Sequence, residues 1–145
     1  MPNNEKLYQS IYGATKLIRP AQYLAELVVK RRTERKKIDL PHQFWLQKYE
    51  EQYGYWKNVF VAECIHAERL MKEYDCDCII NAFNSYDCQK ILSVTNKKLK
   101  EISRELQRQK NNIEQTREKI NIIVANPNVF STNIRGKGSK ISKLK

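Results

Sequence analysis

Apolar positions recur at helical spacing along most of the chain. Leu7, Ile11, Thr15 and Ile18, with Tyr8 and Tyr12 beside them, predict a first helix over 4–18. The Arg19-Pro20 step ends it, because a residue before proline is pushed out of the helical region. Pro20 suits the opening turn of a second helix over about 21–36, which would bury Tyr23, Leu24, Leu27 and Val28. Asp39-Leu40-Pro41 is another start signal, and 42–53 puts Phe44, Trp45 and Tyr49 on one side. Gly54 ends that helix or bends it. The stretch 55–74 carries the broadest apolar stripe, with Trp56, Val59, Phe60, Ala67, Leu70 and Met71, and the core is expected there. Asp75 or Asp77 opens a short helix with Ile79, Ile80, Ala82 and Phe83, which Asn84-Ser85 breaks.

The most regular pattern follows. Leu92, Leu99, Leu106, Ile113 and Ile120 repeat every seven residues, and Thr95, Ile102, Gln109, Thr116 and Ile123 stand three positions after each. With Asp87 as its cap and no glycine or proline between 88 and 126, this predicts one coiled-coil-like helix over 87–125. The first register is apolar throughout, while the polar residues in the second would tend to set register or strand number. Its apolar face, Leu92, Leu99, Ile102, Leu106, Ile113 and Ile120, is the expected interface with a second copy or another protein. Asn126-Pro127-Asn128 stops the helix. From Ser131 onward there are five basic residues, no acids and two glycines, too little apolar surface to order a segment. The expected architecture is all-α: a helical bundle over 1–86, the long helix over 87–125 and a flexible basic tail over 126–145.

Charge sharpens this picture. The chain of 145 residues has a formal charge of +11, unevenly spread. Residues 1–38 carry net +6, 39–88 net −5 and 89–145 net +10. A slightly acidic middle between two basic ends points to a polyanionic partner. Six of the eight residues from Lys30 to Lys37 are basic, more than the dipole at a helix C-terminus needs. Lys30, Arg31, Arg32, Arg35, Lys36 and Lys37 wrap most of that helix end. This suits gripping phosphate backbone without reading bases. Lys97, Lys98, Lys100, Arg104 and Arg108 would extend the contact along the long helix, and Arg135, Lys137, Lys140, Lys143 and Lys145 along the tail. The tail lacks the bulky apolar anchors that a membrane surface prefers. Apolar runs reach four residues, against about 20 needed to span a bilayer.

Other chemistry finds less support. Cys64, His66, Cys76, Cys78 and Cys88 fall within 25 residues, but each close pair is separated by one residue where structural zinc sites usually have two. Metal is not expected, and the start of a helix at Cys76 and Cys78 would lower a thiol pKa there. With no secretory signal at the N-terminus, the cysteines are expected to stay reduced in a cytoplasmic compartment. Phe44, Trp45, Tyr49, Tyr53, Tyr55, Trp56 and Phe60 have helical spacing in an acidic region. That favours core packing over a stacking platform for bases. No nucleotide-binding glycine loop, nucleophile elbow or zinc-protease motif occurs, so neither catalysis, nor a cofactor, nor a small-molecule substrate is expected.

Leu40-Pro41-x-x-Phe44-Trp45, followed by a helical block and Tyr74-Asp75-x-x-x-Ile79-Ile80-x-Ala82-Phe83, resembles small helical accessory proteins of phage-type replication regions. The resemblance assigns no residue a role and implies DNA rather than RNA as the polyanion. The expected function is a non-catalytic, nucleic-acid-binding accessory protein. The alternative is a protein–protein adaptor or structural subunit assembling through the long helix.

Overall fold

The structure, a computed structural model, describes residues 6–13 and 15–125, with side chains through residue 121. Four α-helices and two short 3-10 turns make up its regular elements, with no strand among the described residues. The helices are α1 (Pro20–Lys36), α2 (Glu50–Leu70), α3 (Cys76–Asn84) and α4 (Lys97–Ala125). Backbone contacts divide the chain into units Met1–Gln107 and Arg108–Lys145.

The helix expected over 4–18 does not form. Tyr8 and Ile18 instead exchange backbone hydrogen bonds of 2.8 Å each, across a turn that Gly13 enters at φ +89°. Ser10 and Tyr12 are buried while Leu7 and Gln9 are exposed, so this segment alternates with period two. The reason lies in α1. Buried Glu26 accepts a hydrogen bond from the Ser10 hydroxyl (2.6 Å) and another from the Ile11 backbone N–H (2.7 Å). A carboxylate from another element thus takes a backbone donor that a helix would have used.

α1 starts at Pro20 as expected, and the Arg19 N–H donates to Gln22 Oε1 at 3.1 Å. It buries Leu24, Ala25, Val28 and Val29 completely. It ends on Lys37, which adopts the left-handed conformation (φ 57°) and donates its N–H to Glu34 O. Of the helix expected over 42–53, only 50–53 are helical, as the start of α2, and residues 42–49 form turns and a 3-10 turn, Gln47–Tyr49. Gln43 sits there at φ 52° with its N–H on Tyr12 O at 2.7 Å. α2 begins at Glu50 and runs past Gly54, with the kink one residue earlier at Tyr53. α3 matches its expected bounds.

The core has two parts. Leu24, Val28, Ala67, Ile79, Phe83, Cys88 and Leu99 belong to the larger. Tyr12, Val29, Phe44 and Trp56 form the smaller, with Trp45, Tyr53 and Phe60 packed against it. Most of the aromatic cluster therefore serves packing, although Tyr55 is exposed.

The long helix starts ten residues later than expected. Residues 86–88 form a 3-10 turn, 89–96 are irregular, and Asn96 rather than Asp87 opens the helix, its Oδ1 accepting the Lys98 N–H at 2.8 Å. Leu92 therefore lies outside any helix. Leu99 is fully buried, and Ile102 and Leu106 pack against the same core. These three heptad positions are occupied within the chain itself. Ile113 and Ile120, both 53% exposed, belong to the second unit.

Candidate functional site

The basic end of α1 separates into inward and outward residues. One helix face carries Arg31 against the irregular segment after α3. Its Nη1 donates to Cys88 O (2.7 Å) and Ile91 O (2.9 Å), and its Nη2 to Phe83 O (2.9 Å). The guanidinium lies 3.8 Å over the Phe83 ring. Arg32 donates through Nε to Leu92 O (2.7 Å) and sits 3.6 Å from buried Glu63. Glu63 then accepts from the Ser93 hydroxyl (2.8 Å) and from the Val94 N–H (2.7 Å). An irregular, partly buried segment needs partners for its carbonyls and amides, and these charged side chains supply them.

Arg31 and Arg32, expected to contact phosphate, are engaged within the chain, Arg31 with three carbonyls and Arg32 with Leu92 O and Glu63. The physical reason is that a planar, weakly hydrated guanidinium with several donors is well suited to collecting loop carbonyls. Burial, and after it the charge of Arg35, draws the Arg31 guanidinium below its ordinary pKa. Two more of the expected cations have acidic partners: Lys30 is 3.9 Å from Glu34, and Lys100 is 3.4 Å from Glu73. Arg104 donates to the Tyr74 hydroxyl at 3.3 Å and is otherwise exposed. Arg108 stands exposed at the start of the second unit. Arg135, Lys137, Lys140, Lys143 and Lys145 lie outside the described residues.

What remains facing solvent is a smaller set. Arg35, Lys36 and Lys37 are exposed at the end of α1, as are Lys97 and Lys98 at the start of α4. Arg35 follows Arg31 by one turn on the same helix face and is exposed. Lys36 reaches over the Trp56 ring at 5.9 Å. The held segment contributes Lys90, which sequence reasoning passed over. Lys90 and Lys98 line a shallow basin of about 500 Å³ together with Tyr86, Asp87, Ile91 and Asn96. Tyr86 is 91% exposed, the most exposed large apolar side chain among the described residues. Nothing in the local sequence separates Tyr86 from the core aromatics, because its exposure follows from the 3-10 turn that replaces helix there.

Among the cysteines, Cys76 differs from the expectation for a helix start. Cys76 opens α3, but burial outweighs the helix terminus and pushes its thiol pKa up. Burial, and then Glu68, raises Cys64 to about 12. Asp75, Asp77 and Cys78 place ligand atoms within 4.8 Å of one another; Cys64, His66, Cys76 and Cys88 take no part in that group. Asp75 is tied through its N–H to Gln107 Oε1 (2.7 Å) and through Oδ2 to Gln107 Nε2 (3.3 Å). Among the described residues, no helix is long and apolar enough to cross a membrane. Compared with protein-family models, curated proteins and solved structures, the chain matches none.

Proposed function

We propose that this chain is a non-catalytic nucleic-acid-binding accessory protein that holds phosphate backbone on an exposed basic face. Arg35, Lys36, Lys37, Lys90, Lys97 and Lys98, all exposed in the first unit, are the cations assigned to that face. One observation carries the reading. Arg31 and Arg32 hold the Lys90 segment against α1, while these other cations are exposed and form no salt bridge among the described residues. Net charge of this kind raises the local concentration of a polyanion and releases its counterions on contact. DNA is favoured over RNA on the sequence resemblance alone.

The test is duplex-DNA affinity across a salt series. If about five phosphates are neutralised, log affinity falls against log salt with a slope near −4 to −5. Reversing the charge of Lys36, Lys37, Lys90 and Lys98 together should remove most of the affinity and flatten the slope, while helical circular dichroism is kept. No binding at roughly 50 mM salt overturns the reading. Arg31 and Arg32 have to stay intact in these variants, since their loss would free the segment itself.

The second reading is an adaptor that assembles through α4. It draws on Ile113 and Ile120, two isoleucines at heptad spacing, each 53% exposed. On that reading the cations serve solubility, and the protein shows concentration-dependent mass without salt-dependent DNA binding.

A further inference from the structure

The basin between the 3-10 turn and the start of α4 differs from the rest of the basic face, because an aromatic ring stands in it. Tyr86 exposes 91% of its surface, although its backbone is firmly held. The Cys88 N–H donates to Ser85 O (3.1 Å), and Gln89 Nε2 donates to Asn84 O (3.0 Å) and Ser85 O (2.9 Å). Two residues on, Arg31 grips Cys88 O. A bare ring on a fixed backbone gains nothing for folding, and it loses little side-chain entropy when something packs against it. Lys90 and Lys98 line the same basin and outnumber its one acid, Asp87.

Resting on the nucleic-acid reading above, we infer that this basin is a single-strand site: one unpaired base stacks on Tyr86 while Lys90 and Lys98 hold the flanking phosphates. An aromatic face with cations beside it is the arrangement that binds unpaired nucleotides. In a duplex both faces of each internal base are covered by neighbouring bases, so the ring has nothing to stack on. The site should also be tolerant of sequence. Gln89 commits its amide nitrogen to backbone carbonyls, and Asn96 commits its side-chain oxygen to the Lys98 N–H, so neither is set to read a base edge through those atoms.

The experiment measures fluorescence anisotropy of three probes of equal length: an oligothymidylate of about twelve nucleotides, the same backbone with abasic sites, and a duplex. Wild type, Tyr86→Phe and Tyr86→Ala are compared at low salt. Wild type should bind oligothymidylate about tenfold more tightly than the abasic strand, in line with the stacking energy of one base. Tyr86→Ala should erase that difference and leave abasic and duplex affinities unchanged. Tyr86→Phe should keep it, because the ring and not the hydroxyl stacks. If Tyr86→Ala binds oligothymidylate as wild type does, the stacking site is refuted while the phosphate-binding face stands. If wild type binds none of the three probes, the nucleic-acid reading falls and the site with it.

Discussion

Glu26 is the residue on which the N-terminal segment depends. It is buried, and it joins Ser10 and Ile11 to α1 through two short hydrogen bonds. Burial raises its pKa above the ordinary carboxyl value, against the lowering effect of those hydrogen bonds. The folded state therefore holds the proton to a higher pH than the unfolded state. This contribution to stability is fully present below the unfolded pKa and is lost as pH rises through the folded one. Glu26→Gln cannot ionise, and its amide can still accept from Ile11 N–H and donate to Ser10. Urea denaturation at about pH 4 and about pH 7.5 should show the variant gaining on wild type as pH rises. Glu26→Ala should cost about 1–3 kcal/mol at either pH, because it strands buried polar groups. Arg31 makes a parallel case. Its loss leaves the carbonyls of Phe83, Cys88 and Ile91 without their donor, so Arg31→Ala should destabilise by about 3 kcal/mol or more. Arg31→Lys should recover only part, since an ammonium lacks the planar fork. A fall in the denaturation midpoint of less than a few tenths molar urea would refute this role.

At the scale of elements, the sequence was readable where structure is local. Pro20 at the opening of α1 and the breaker Asn84-Ser85 after α3 act within a few residues, and both helices lie where periodicity puts them. The segments 6–18 and 89–96 were not readable, because their backbone partners come from far along the chain. Glu26 fixes the first; Arg31, Arg32 and Glu63 fix the second. Apolar spacing cannot report a carboxylate or guanidinium that arrives from another helix. The same gap hid Tyr86 and Lys90 and made Arg31 and Arg32 look available. The end of α1 offers a test that separates stability from binding. Lys37 holds φ 57°, a conformation that costs an L-residue about 1 kcal/mol and suits glycine. Lys37→Gly should raise stability by about 0.5–1 kcal/mol while weakening duplex-DNA binding and reducing the salt slope by about one. Equal affinity in the variant would remove Lys37 from the basic face.

For the whole molecule the open question is whether the heptad row joins two copies, and the structure determines which substitutions can answer it. Leu99 and Leu106 look like the natural targets from spacing alone. Leu99 is fully buried in the first unit and Leu106 packs against the same core, so aspartate there would place a charge in or against the larger core cluster. An unpaired charge in such a site costs several kcal/mol, and any loss of assembly would then report unfolding. Ile113 and Ile120 carry no such penalty, being half exposed in the second unit. If α4 pairs with a second copy there, Ile113→Asp with Ile120→Asp should turn a dimeric mass by light scattering into a monomeric one. The midpoint of the first unit's unfolding should not move. Pairing would also double the cations available to a polyanion, so the double variant should bind DNA more weakly with every basic residue still present. A monomeric mass for wild type at high concentration would exclude self-association through these positions. Unchanged DNA affinity in the monomeric variant would mean that the basic face acts one copy at a time.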